Sequence, residues 1–264
     1  MKKNKLKIIY IYLFAVIILV GIFLIVKKIE APAKEEVKSN IIQEIPKPEI
    51  KIDENIKQES YMIKDYSLVV PKDSKGNKKV VLLTIDDGPS PRTKEIITIL
   101  KKHNVKAIFF INGSNDKDHA GIIADTAKEG YIIGNHTWSH LDLKKEKDLT
   151  KIDKEITKNS ELIKQITGSV PKFFRPPYGD ITPYVKKFVK DNGMIFMNWS
   201  DAAKDWEKST KDKNVFVGNV LKNLSPGAII LIHEHPWSLA NLDSMLSSLE
   251  EKGYKFVDPK DIVE

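Results

Sequence analysis

His136 and His140 lie four residues apart in the run Asn135-His136-Thr137-Trp138-Ser139-His140. This spacing predicts two imidazoles on one face of a helical turn, as in many zinc sites. A carboxylate from another strand end would complete three protein ligands and leave a position for water. That is the catalytic rather than the structural form of such a site. Asp86 and Asp87, in Thr84-Ile85-Asp86-Asp87-Gly88, are the candidates. Adjacent carboxylates repel unless a cation or a proton intervenes. A helix N-cap before Pro91 is the competing explanation of the pair. Taken with the histidines, a metal-bound carboxylate beside a free base fits better.

Groups so far apart in sequence need a scaffold that gathers them. Apolar, strand-like runs occur at 80–85, 106–111, 131–134, 172–175, 194–199, 228–232 and 254–257, with helical patterns between them. In 148–167, Leu149, Ile152, Ile156, Ile163 and Ile166 share one face before Gly168. In 182–192, Thr182 is placed to cap and Pro183 to open the first turn, ahead of Gly193. A third helix is expected over 239–252, ending at Gly253. Short apolar strands alternating with amphipathic helices imply an α/β domain with a parallel sheet covered by helices. A small (β/α) barrel and an open doubly wound sheet both satisfy the pattern, and both collect function at the carboxyl ends of the strands. The polar groups obey that rule. They include Arg175-Pro176-Pro177-Tyr178-Gly179 after the fourth run, Asp201 and Asp205-Trp206 after the fifth, and Leu231-Ile232-His233 at the sixth.

The 264 residues carry 43 basic and 36 acidic side chains, a formal net charge of +7. Six of the lysines (2, 3, 5, 7, 27 and 28) flank the uncharged run 8–26, and setting them aside leaves 37 against 36. The remainder is nearly neutral, so no nucleic-acid partner is expected. With no Cys, disulfides, thiolate metal sites and cysteine nucleophiles are excluded. Nineteen helical residues span roughly 28 Å, close to the thickness of a bilayer's hydrocarbon core. The run 8–26 therefore predicts a transmembrane signal-anchor in the lipid bilayer. The lysines place residues 1–7 in the cytoplasm and the body outside a cell membrane. Cleavage near Ala33, releasing the body, is the alternative. Residues 27–78 read as an extracytoplasmic linker with a short apolar lead-in (Tyr66, Leu68, Val69, Val70), and 79–264 as the catalytic domain.

From residue 80 onward the sequence resembles the polysaccharide deacetylases with a NodB homology domain, carbohydrate esterase family 4. T-I-D-D-G looks like that family's first motif, H-T-W-S-H its second and R-P-P-Y-G its third; D-W at 205–206 and L-I-H at 231–233 look like the fourth and fifth. The resemblance implies a distorted (β/α)7-type barrel and metal-dependent N-deacetylation of an acetylated amino sugar. It assigns Asp87, His136 and His140 to a divalent metal, Zn2+ by preference, with Co2+ or another ion as the alternative. Asp86 would be the general base, oriented by Arg175, and His233 the general acid, held protonated by Asp205. The backbone N–H of Tyr178 would face the oxyanion, and Tyr178, Trp206 and Leu231 would contact substrate. Two physical points agree. Arg175 is one of two arginines against 41 lysines, so a bidentate guanidinium there is not compositional noise. Amide hydrolysis also needs a proton on the departing nitrogen, which histidine supplies near neutrality.

The spacing of Asp201 and Asp205 departs from the family's D-x-x-D-W and leaves Asp201 without a clear role. Residues 199–206 are closer to deacetylases of N-acetylmuramic acid, as are 130–136 and 225–229. The intact first and third motifs resemble the N-acetylglucosamine enzymes. The expected substrate is the cell-wall glycan peptidoglycan at N-acetylglucosamine, with muramic acid, chitin-like and poly-N-acetylglucosamine glycans as alternatives. A non-enzymatic wall-binding module is a further one. His235 reads as a loop residue beside Pro236, His103 and His119 as surface groups, and Asn112 as a residue lining the site rather than a glycosylation acceptor. Trp138 and Trp199 fit either a cleft wall or the core.

Overall fold

The computed structural model describes residues 59–119 and 121–264. The apolar run 8–26, its flanking lysines, Ala33 and the linker up to residue 58 lie outside the described residues. No helix among the described residues is long and apolar enough to cross a membrane.

The described residues form one sheet. Hairpin strands β1 (Tyr61–Lys64) and β2 (Leu68–Pro71) precede the long central strand β3 (Val80–Gly88). Then follow α1 (Thr93–Lys102), β4 (Ala107–Ile111), α2 (Ile122–Lys128), β5 (Ile132–Asn135), α3 (Leu149–Thr167) and β6 (Phe173–Phe174). The remainder is α4 (Pro183–Asp191), β7 (Ile195–Phe196), β8 (Asp201–Ala202), α5 (Lys213–Asn223), β9 (Ala228–His233), α6 (Pro236–Glu251) and β10 (Lys255–Phe256). The strand order is β1-β2-β9-β3-β4-β5-β6-β7, with β8 on β9 and β10 on β3. All pairings are parallel except β1 with β2 and β2 with β9.

The expected seven-stranded barrel is an open curl. Among the described residues no strand pairing joins β7 to β8. The lead-in of 61–78 fills part of that gap. Leu68 pairs with Ala228 of β9, and Tyr66 accepts the Asn198 N–H at 2.5 Å through its main-chain oxygen. Tyr66 also packs edge-on against Phe196 at 5.4 Å.

Alternation along β3 explains the two-sided burial. Val81, Leu83 and Ile85 join a core with Ile96 and Leu100 of α1 and Leu242 and Leu246 of α6. Val80 and Leu82 join the inner core with Ile108, Phe110, Phe173 and Ile229. Helix ends follow local chemistry: Thr182 accepts from Val185 N–H, Asp148 from Thr150 and Lys151, and Gly168 takes the left-handed conformation at φ 82°. The last helix opens at Pro236, three residues before the predicted start. The fourth and fifth runs, predicted over 172–175 and 194–199, shrink to two-residue strands because the sheet curls away there.

Register then does the functional work. Asp86 pairs with His233 across β3 and β9, and Asn135 with Phe174 across β5 and β6. Asp86 and His233 therefore meet at one rim, as do the residues that follow Asn135 and Phe174, His136 and Arg175.

Candidate active site and metal centre

Consecutive strand residues should face opposite ways, yet Asp86 and Asp87 both line one cavity. The register with β4 shifts between Asp86 and Gly88, and Asp87 sits at φ 67°. This bulge turns the second carboxylate in beside the first. The alternative N-cap reading of the pair is not what the structure shows, since α1 begins at Thr93 with Arg92 at its N-cap.

Asp87 Oδ1 lies 3.6 Å from His136 Nε2 and 3.5 Å from His140 Nε2, and the three ligand atoms fall within 4.8 Å of one another. Tetrahedral zinc with bonds of ~2.0–2.1 Å sets its donors about 3.4 Å apart, so the set fits. His136 Nδ1 lies 2.8 Å from the main-chain oxygen of Arg175. That contact places the proton on Nδ1 and leaves the Nε2 lone pair toward the centre. Burial pulls the His136 pKa down to about 3, which keeps the ring in its neutral, ligating form. Asp87 Oδ1 is buried and accepts no hydrogen bond, an orphan that a cation would satisfy. The predicted helical turn is absent. Residues 136–140 form an irregular loop in which Thr137 and His140 have φ of 69° and 60°.

Arg175 is fully buried. One terminal nitrogen, Nη1, donates to Asp86 Oδ1 at 2.8 Å and to Thr84 Oγ1 at 2.7 Å, while Nη2 donates to the Asn198 carbonyl at 3.0 Å. The contact with Asp86 is thus through one oxygen, not bidentate as the residue type suggests. The other oxygen, Oδ2, faces His136 Nε2 at 3.7 Å. Burial raises the Asp86 pKa, and the opposing Arg175 and His233 charges do not cancel that effect. A carboxylate raised in this way is a better proton acceptor than one in water.

On the opposite side His233 Nδ1 meets Asp205 Oδ1 at 2.7 Å. Asp205 Oδ2 accepts from the His233 N–H at 2.6 Å and the Ser238 hydroxyl at 2.5 Å, and Trp237 Nε1 donates to the Asp205 main chain. Burial alone would lower the His233 pKa. The hydrogen bond and charge of Asp205 outweigh it and raise the ring to about 9. Such an imidazolium can deliver a proton at neutral pH.

The cavity measures about 450 Å³ and is also lined by Tyr178, Trp199, Trp206, Leu231 and His235. Tyr178, at φ 60° and 63% exposed, sets its ring edge-on to His140 at 4.8 Å. Trp206 is half exposed and edge-on to His233 at 5.9 Å. Leu231 is buried beneath. His235, expected to be a loop residue only, faces the cavity with its ring stacked on Trp237 at 4.6 Å. Asn112, expected to line the site, is not among the cavity's lining residues; it is buried and donates to the His136 carbonyl. Trp138 packs near Gly113 under the Lys158 ammonium, whereas Trp199 is a cleft wall. Asp201 lies buried on β8 with Oδ2 unpartnered, and burial raises its pKa to about 7. His103 is tied to Asp243 and Glu250, and His119 to the Asn115 carbonyl. Sequence reasoning missed Thr84, Asn115, Asn198, Trp237 and Ser238. Asn115 bonds the Asp87 carbonyl at 3.0 Å. Thr84 opens the T-I-D-D-G run without having been given a role, and the other four lie in no motif.

A three-ligand metal set, with a carboxylate base on one side and a charged histidine on the other, defines a metal-dependent hydrolase. The comparisons agree. A polysaccharide deacetylase family model matches residues 73–197. A peptidoglycan-N-acetylglucosamine deacetylase of Bacillus cereus is 38% identical over 187 residues, 69% of this chain and 67% of that protein. The peptidoglycan-N-acetylmuramic acid deacetylase PdaA of Bacillus subtilis is 34% identical, covering 70% of this chain and 72% of its own length. A crystal structure of a peptidoglycan N-acetylglucosamine deacetylase, in complex with 4-naphthalen-1-yl-N-oxidanyl-benzamide, superposes with a TM-score of 0.65. It is 37% identical and covers 69% of this chain and 87% of that one. The chain belongs to the polysaccharide deacetylase family.

Proposed function

We propose that this chain removes the acetyl group from N-acetylglucosamine residues of peptidoglycan and releases acetate. The observation that carries the reading is the pairing of Asp86–Arg175 with His233–Asp205 across one metal set. Asp87, His136 and His140 would hold a divalent ion, with Zn2+ preferred for the nitrogen and carboxylate donors. When bound, the ion supplies Lewis acidity, acidifying a water and polarising the acetyl carbonyl. Asp86, oriented by Arg175, takes the proton of the attacking water. The backbone N–H of Tyr178 donates to the oxygen on which charge develops. His233 protonates the sugar nitrogen as the C–N bond breaks, and Asp205 keeps it charged until then. Trp206, Tyr178 and Leu231 hold the sugar. The intact T-I-D-D-G and R-P-P-Y-G runs support glucosamine, while the likeness to PdaA supports muramic acid as the second reading.

The run 8–26, with four lysines before it and two after, supports a single-pass anchor with the body outside the cell membrane. Acetate release from defined peptidoglycan fragments tests the chemistry. Chelation should abolish it and Zn2+ or Co2+ restore it; activity indifferent to chelator would reject the reading. Mass spectrometry of the products, locating the lost acetyl on glucosamine or muramic acid, decides the sugar.

A further inference from the structure

Arg92 is the second of the chain's two arginines, and no step above uses it. Its Nε donates to the main-chain oxygen of Glu234 at 2.5 Å, which ties the guanidinium to the residue between His233 and His235. Among the described residues its side chain makes no other hydrogen bond and no ion pair, so both terminal nitrogens are open. The Glu234 carboxylate does not bind the guanidinium. Its Oε2 accepts from the Ser90 hydroxyl at 2.5 Å and the Thr93 hydroxyl at 2.7 Å. The Arg92 charge acts on the Glu234 carboxylate and on His235, and His235 lines the catalytic cavity. A half-buried guanidinium is thus anchored at its base to the backbone between His233 and His235, with its two terminal nitrogens unbonded.

An anchored fork with two parallel donors suits an oxyanion gripped through two oxygens, and on a peptidoglycan strand the acidic groups beside the acetylated sugar are carboxylates. A chain that meets its surface charge with lysine keeps arginine where planar geometry counts, as it does at buried Arg175. We propose that Arg92, together with His235, forms a carboxylate-binding subsite at the rim of the catalytic cavity, reading an acidic substituent on the sugar next to the acetylated one. The inference rests on the glycan reading above and sharpens it. Peptidoglycan carries such carboxylates on every second sugar, as a lactyl acid or on the peptide that extends it. Chitin carries none.

Calorimetric binding to the metal-loaded protein tests this. The probes are a peptidoglycan disaccharide repeat with a free lactyl acid, its methyl ester, the corresponding muropeptide, and an uncharged N-acetylglucosamine oligomer. The wild type should bind at least one acidic probe about ten-fold or more tightly than the ester, the gain expected of one charge-assisted pair. Whether the free lactyl acid or the muropeptide shows the gain identifies which carboxylate is read. Arg92→Gln keeps an amide N–H for the Glu234 carbonyl and should erase the preference while leaving affinity for the uncharged oligomer intact. Arg92→Lys should retain part of it. No preference for either acid over the ester in the wild type overturns the inference, and so does an equal loss on the uncharged oligomer. Acetate release is read separately. Its absence on every glycan would reject the deacetylase reading, while the binding difference would still decide the subsite.

Discussion

Asp205→Asn separates protonation of His233 from its mere placement. Asparagine keeps an oxygen for the His233 Nδ1–H. It puts an NH2 where Oδ2 accepts from the His233 main chain and the Ser238 hydroxyl. At least one buried donor then faces a donor, at a cost of about 1–3 kcal/mol, so the melting temperature falls. The larger effect is electrostatic. Burial pulls the imidazole down, and the Asp205 bond and charge are the largest effects that raise it to about 9. Without them the ring returns to its ordinary ~6.5 or below. A general acid works while protonated, so activity is lost as pH rises through its pKa. At pH 8 the protonated fraction drops from about 90% to about 3%, a loss near thirty-fold. At pH 6 the same variant loses less than about two-fold from protonation. The assay is kcat/KM for acetate release from pH 5.5 to 9, with the metal saturating. The alkaline limb should move toward acid in the variant. Parallel profiles, displaced equally at every pH, would refute the idea that Asp205 sets the charge of His233.

Asp86→Asn should retain bound metal by elemental analysis yet lose about 10²–10⁴-fold in rate, as expected for a general base. His140→Ala should do the reverse first, weakening zinc binding by more than about ten-fold in a competition titration. Gly134→Ala would place a Cβ 2.4 Å from the Phe110 ring, over which the Arg175 guanidinium lies at 4.4 Å. The misfit should cost about 1–3 kcal/mol in denaturant unfolding and lower activity through Arg175. Burial opposes the charge on His103, but its bonds to Asp243 and Glu250 prevail and raise its pKa. Its stabilising contribution is therefore complete below the ordinary ~6.5 and fades as pH rises through the folded value. The melting-temperature gap between wild type and His103→Gln should accordingly be widest in acid and close in alkali.

Much of this site is readable in the sequence because its chemistry is local. Asp86, Asp87, His136, His140, Arg175 and His233 each sit at or just past the end of an apolar run, where a parallel sheet presents its function. Some helix ends are equally legible, since Thr182 and Gly168 signal them through side-chain and glycine chemistry. What stays hidden is non-local or conformational. Ser238 and Trp237 matter only because α6 starts beside Asp205, and Thr84 only because β3 and β6 face one interior. The bulge that brings Asp87 next to Asp86 has no residue signature. The hairpin at β1 and β2 shows only as a weak apolar patch, because its role is to plug a curl whose shape depends on every other strand.

Asp87, Thr137, His140 and Tyr178 all hold left-handed backbone that glycine would adopt freely. Each such residue costs about 1–3 kcal/mol relative to a relaxed conformation. At Asp87, His140 and Tyr178 it is the chemistry of the cavity, rather than the fold, that calls for the side chain. In any lineage where selection on the reaction lapses, substitutions at these positions release strain, so stability and loss of activity point the same way. Catalytically silent descendants with this architecture intact are thus the downhill outcome of drift, and an unbroken set of these residues in a chain signals continuing selection for turnover.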